Sequence, residues 1–235
     1  MTWAARHIKR TEDEWLESPH AIIDNKFWQY YIDQRGREYA ANRSVRGAYQ
    51  EHGGVPKTFV VKPKKTLKFS AKGVTVTAAV IKGKVRLWEY THGSWNAETA
   101  AAIYKGPLLK AMRKAFPTKP KKQSFTIIED NDPAGYKSGK AMNTKKEVGI
   151  ASDDLPRRSP DLNVLDYYIW NAVNTRMRKQ EATFPKSFKE SKEGFLARLK
   201  TIALRLPKAA VSKAVASMRR RVLAIKKEQG GLIKE

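Results

Sequence analysis

Three aspartates stand apart by their settings. Asp24 closes the apolar run Ala21-Ile22-Ile23, Asp130 follows the run SFTIIE (124–129), and Asp166 sits in the segment LNVLDYYIW (162–170). A strand through Ala21–Ile23 is poor in solvent, and an unpaired charge there is costly enough to require a partner. A metal ion would be one: carboxylate oxygens suit hard divalent cations such as magnesium and manganese. Taken singly, each acid also has a purely structural account. Asp130 and Asp132 terminate a strand, Asp161 favours a helix start, and Asp24 pairs with a buried Arg. The chain has no cysteine, so any metal must be held by oxygen or imidazole. His7, His20, His52 and His92 are scattered and carry no assigned role.

The elements that must position these acids can be read in turn. Thr11 and Glu14 form a capping-box pattern that starts a short helix through Trp15 and Leu16, ending before Pro19. His20–Trp28 and Gln29–Asp33, rich in β-branched and aromatic residues, predict consecutive strands, and 35–56 reads as a long polar loop. Gly73–Ile81 and Lys84–Tyr90 around Lys82-Gly83 predict a hairpin. Asn96 caps a helix from Ala97 to about Phe116 that Pro107 should break or kink. Ser124–Glu129 is a strand whose carboxyl end presents Asp130, and a lysine-rich helix covers Ser138–Val148. Ser159 as N-cap with Pro160 at the first position predicts a helix to about Lys179. On it, three-and-four spacing groups Asp166 with Leu162, Ile169, Trp170 and Val173 and points it toward the core. The rest, from Phe188, reads as basic helices broken at Pro207.

With 47 Lys and Arg against 23 Asp and Glu, the chain carries +24, far more than solubility needs. A polyanion, nucleic acid first, is the implied partner, because binding phosphates releases condensed counterions. Candidate phosphate contacts are Lys62–Lys68, Lys119, Lys121 and Lys122, Arg157 and Arg158, and Arg219–Arg221; a solvated face explains each run equally well. Tryptophan at apolar spacing reads as core rather than as a base-stacking platform. No apolar run of about 18 residues occurs and charges fill the amino terminus, so no membrane partner is expected.

Together, IIEDNDP (127–133) and SPDLNVLD (159–166), with 35 residues between Asp130 and Asp166, resemble the DDE transposases of the mariner superfamily. Trp15 followed by AIIDNKFW (21–28), SWNAE (94–98) and the closing stretch 206–221 extend the likeness over nearly the whole chain, most weakly at 35–65. Two departures are Asn25 where the family usually has Glu, and Val164 in place of a proline; the triad is Asp-Asp-Asp. The resemblance implies an α/β, RNase H-like fold: a central mixed sheet flanked by helices, with basic C-terminal helices. It divides the chain into a helical lead-in (1–18), a catalytic domain (19–180) and basic helices packed on it (181–235). The family's amino-terminal helix-turn-helix modules have no counterpart in these residues.

The same resemblance makes Asp24, Asp130 and Asp166 both the catalytic and the metal-holding residues, with Mg2+ or Mn2+, two ions in all. It implies phosphodiester hydrolysis followed by strand transfer on double-stranded DNA, in a nuclear setting, with a homodimer compatible and no small-molecule substrate. Two rival readings stay open: a non-catalytic DNA-binding remnant of a transposon, and a different RNase H-like nuclease.

Overall fold

The run HAIIDNKFWQ forms one ten-residue strand, β1 (His20–Gln29), because its apolar residues fill both faces of a central strand. The computed structural model describes residues 3–29, 73–91, 95–118, 124–157, 159–185 and 190–228. Where the sequence suggests a division after Trp28, the strand continues, since Gln29 still pairs with Gly73. Tyr30–Asp33, the polar stretch 35–56, Lys62–Lys68, Lys119, Lys121, Lys122 and Arg158 lie outside the described residues.

β2 (Gly73–Ile81) and β3 (Lys84–Thr91) form the expected hairpin. Its two turn residues both take positive φ, 53° at Lys82 and 64° at Gly83, as a tight hairpin matched to strand twist requires. β4 (Phe125–Glu129) and β5 (Ile150–Asp154) complete a five-stranded sheet in the order β3-β2-β1-β4-β5. The first three strands are antiparallel, and β1-β4 and β4-β5 are parallel, so the sheet is mixed.

The helices follow the sequence signals with two corrections. α1 (Trp3–His7) and α2 (Glu12–Glu17) lead in, α2 opening on the Thr11–Glu14 capping box. α3 (Ala97–Ile103) is capped by Asn96, whose side chain accepts from the Thr99 amide. Pro107 does not break the helix: a π-helical turn (Tyr104–Leu108) absorbs the proline, and α4 (Leu109–Ala115) continues. A widened turn relieves the clash and the missing N–H that proline would impose on regular α geometry. α5 (Gly139–Glu147) starts at Ser138.

Ser159 is not a helix cap. Its hydroxyl donates to the Pro156 carbonyl at 2.5 Å, and Pro160 opens only a 3-10 turn, Pro160–Leu162. Asn163 then interrupts in extended conformation, its side-chain oxygen accepting from the Leu165 amide at 3.1 Å. A π-turn (Leu165–Ile169) and α6 (Trp170–Glu181) follow, then α7 (Lys192–Leu204) and α8 (Lys208–Lys227) on either side of Pro207.

Strand alternation divides the core into two layers. Ile22, Val76, Ala78 and Trp88 face Trp170, Leu199, Val215 and Met218 of the later helices; Trp3 and Trp15 of the lead-in join this cluster. Ile23, Ala79 and Ile127 face Tyr104, Leu108, Met112 and Tyr136 on the other side. Among the described residues, no helix is long and apolar enough to cross a membrane.

Candidate active site

Parallel pairing of β1 with β4 sets the first two acids level. The last registered pair is Ile22 with Ile128, and each acid lies two residues further along its strand direction. Asp24 is still inside β1, opposite Ala78 and 8% exposed; Asp130 is the first residue beyond β4 and is exposed. Asp166 comes from the π-turn that precedes α6. It is exposed rather than turned into the core, because the break at Asn163 and the widened turn rotate it away from the face a regular helix would give it.

Asp24 and the turn at Asp130 are held by backbone amides and indole donors. Asp24 accepts from the Asn25 amide at 2.7 Å and from the Trp170 indole N–H at 3.2 Å. Asp130 accepts from the Asp132 amide at 3.1 Å, a self-closing turn. Asp132 in turn accepts from the Ala134 and Gly135 amides and from the Trp95 indole N–H at 2.8 Å. Gly135 has to be glycine for that approach, since an added Cβ would lie 2.0 Å from the Trp95 nitrogen. The Asn131 side chain donates to the Leu155 carbonyl at 2.5 Å, tying the Asp130 turn to the end of β5.

The three acids act on one another electrostatically. Burial, then Asp166 and more weakly Asp130, push the Asp24 carboxyl up to about 7. Asp130 is raised by restricted hydration, with the Asp132 amide bond opposing, and Asp166 is raised by restricted hydration and Asp130, with Lys26 opposing. Both side chains are open to solvent yet incompletely hydrated, as expected on the walls of a cleft. That cleft holds roughly 870 Å³ and is lined by Asp130, Asp166, Asn25, Asn131, Trp95 and Arg157 among others; the buried Asp24 precedes the lining residue Asn25.

Among the described residues no Lys or Arg forms an ion pair with Asp24, Asp130 or Asp166, and the expected alternative of a buried Arg beside Asp24 is not what the structure has. An uncompensated, buried carboxylate flanked by two more is a donor set whose chemistry fits a hard divalent cation. Among the described residues, however, no three acid or imidazole groups stand close enough to hold one ion jointly.

Several site residues carry no local sequence signal. Asn25 donates to the Tyr136 hydroxyl at 3.3 Å across 111 residues, and Tyr136 is fully buried against Trp95 in an edge-to-face arrangement. Lys26 shares a strand face with Asp24 and places its ammonium 5.9 Å from the Trp170 ring. Of the sequence-derived phosphate contacts, Arg157 is exposed on the cleft wall. Trp28, Trp88 and Trp170 are core, as their spacing suggests.

No protein-family model and no curated protein sequence matches the chain. Solved structures do. The catalytic domain of Mos1 mariner transposase superposes with a TM-score of 0.61 at 14% identity, over 99% of this chain and 92% of that one. The Mos1 paired-end complex with left transposon end gives 0.65 at 14% identity, and the Mos1 strand transfer complex 0.63 at 14%. In both complexes this chain spans 61% of the longer transposase chain. The chain therefore has the RNase H-like fold of the mariner transposase catalytic domain.

Proposed function

We propose that the chain is the catalytic domain of a DNA transposase that hydrolyses phosphodiester bonds at transposon ends and transfers the strand. The observation that carries this reading is the placing of Asp24 and Asp130 at one level on neighbouring parallel strands, with Asp166 close enough to act on Asp24. Mos1 structures with Mn and with Mg support the choice of ion. Asp24, Asp130 and Asp166 would hold magnesium or manganese, two ions in this reading. Bound there, the metal supplies charge stabilisation at phosphorus and an activated hydroxyl.

The chain's own groups do the rest. The Trp170 indole and the Asn25 amide fix the Asp24 carboxylate while leaving room for further acceptor bonds. The turn closed on Asp132 orients Asp130, and Arg157 on the cleft wall meets the phosphodiester. Double-stranded DNA is the substrate, a homodimer the working unit, and the nucleus the setting that goes with this reading. A second reading, a DNA-binding body without catalysis, is favoured by the open spacing of the acids.

Incubating the protein with supercoiled plasmid in manganese or magnesium, beside EDTA and an Asp130→Ala variant, separates the two. Metal-dependent nicking that vanishes in the variant is expected. Plasmid retained but never nicked would favour the binding body.

A further inference from the structure

α8 differs from every other described helix in the charge it gathers. Over Lys208–Lys227 it has seven Lys and Arg and no Asp or Glu. Its apolar side, Val211, Val215, Met218 and Val222, is spent on the core. On the opposite side, Lys213, Arg220 and Lys227 recur every seventh residue, which sets them in one row along the axis. Lys208, Arg219 and Lys226 form a second row about a third of a turn away, and all six are exposed. Between the rows lies a narrow strip of Ala209, Ala216 and Leu223.

Several surface lysines elsewhere, two of them exposed and Lys200 half-buried, are paired. Lys105 meets Glu147 at 2.8 Å, Lys140 meets Glu98 at 3.3 Å, and Lys200 meets Glu89 at 3.6 Å. Among the described residues, none of the six cations of α8 forms an ion pair with a carboxylate. A solvated face normally mixes signs. Two cationic rows without an acid, the second interrupted at Ser212, whose hydroxyl donates to the Gly83 carbonyl at 3.3 Å, run along a helix about 30 Å long and match instead a polyanion that runs straight past it, as a duplex does with one charge per ~1.7 Å of axis.

The track also leads to the cleft. Arg221, on the same helix, donates to the Asp161 carbonyl at 3.3 Å and lies 4.0 Å over the Tyr167 ring. It thereby fastens α8 to the 3-10 turn whose Pro160 lines the cleft wall. So the run Arg219–Arg221 is divided in role: Arg221 anchors the helix, and Arg219 and Arg220 belong to the exposed rows.

We propose that the exposed face of α8 is a sequence-independent track for the phosphate backbone of duplex DNA, adjoining the cleft. The choice of DNA rests on the transposase reading; the track itself is tested by binding without metal. The triple variant Lys213→Gln, Arg220→Gln, Lys227→Gln is compared with Lys105→Gln, Lys140→Gln, Lys200→Gln, which removes the same net charge from paired positions. Duplex affinity is measured in EDTA across a salt series, with far-UV circular dichroism to check folding.

The track variant is expected to flatten the plot of log affinity against log salt by about 2 to 3, near 0.9 for each phosphate left without its cation. Its affinity at 0.1 M salt should fall at least tenfold, and the control's far less. Equal losses in both triples would reduce the effect to net charge and overturn the track, as would unchanged binding in the track variant or a wild-type chain that does not bind duplex. Intact binding with no plasmid nicking overturns the catalytic reading alone.

Discussion

Burial and the neighbouring Asp166 hold the Asp24 carboxyl protonated up to about pH 7 in the folded chain, against 3.8 for an ordinary aspartate. A group whose folded pKa is raised stabilises the fold fully below its unfolded pKa, and that contribution is lost as pH rises through the folded value. The metal-free protein should therefore lose stability between about pH 4 and pH 7 on account of Asp24 alone. Asp24→Asn keeps the shape and an acceptor for Trp170 without the charge. Its melting temperature in EDTA should match wild type at pH 4 and exceed it at pH 8, by an amount worth a few kcal/mol. Manganese should raise the wild type at pH 8 and leave the variant nearly unmoved; a variant that gains as much from the ion would remove Asp24 from the proposed metal site. Asp166→Asn should bring the Asp24 titration, followed by carboxyl carbon NMR, back toward the ordinary range, because Asp166 is the larger of its two acidic neighbours.

Behind Asp130, the end of β4 is fixed by a buried charge network. Glu129 is fully buried and accepts from Lys145 of α5 at 2.5 Å, from the Tyr104 hydroxyl at 2.5 Å and from Ser152 of β5 at 3.1 Å. Lys145 also donates to the Tyr136 carbonyl at 3.0 Å. Burial raises the Glu129 carboxyl even so, with Lys145 pulling it back. Lys145→Met leaves that buried carboxylate only the more distant Lys137 ammonium, 3.8 Å away, and should cost about 3 kcal/mol in urea unfolding, while truncating the exposed Lys105 should hardly register. If both variants unfold alike, the network does not hold the strand end. Elements such as α2, the hairpin and β4 were legible in the sequence because caps, turn residues and apolar alternation are local signals. β5 was not, for only Ile150 of its five residues is buried and its ladder is supplied by β4. An inward Asp166 would need regular α geometry from Leu162 onward, and the interruption at Asn163 and the π-turn deny it. The buried setting of Asp24 and the strand-end setting of Asp130 were legible in the sequence; the partners Trp95, Tyr136 and Trp170 were not, because their bonds span 37 to 146 residues.

The lead-in helices close the molecule on the side away from α3 and α4. Trp15 is 1% exposed, stacked edge-on against His20 and covered by the Arg10 guanidinium 4.1 Å above its ring. His20 is kept neutral, its pKa pushed down to about 3 by burial and then by Arg10, so this packing does not change across the physiological range. His7 reaches Asp153 on edge strand β5 at 2.8 Å, and Trp3 and Trp15 share one core cluster with Val211, Val215 and Met218 of α8. α1 and α2 therefore join β5 at one sheet edge to the helix proposed as the DNA track. If that cluster is one cooperative unit, Trp15→Ala should cost about 3–5 kcal/mol and shift the urea transition without splitting it. Far-UV circular dichroism and tryptophan fluorescence should then report the same midpoint. Two separated midpoints would instead make the lead-in an appendage that melts on its own, and the track variant would then have to be compared in a background that keeps α8 seated.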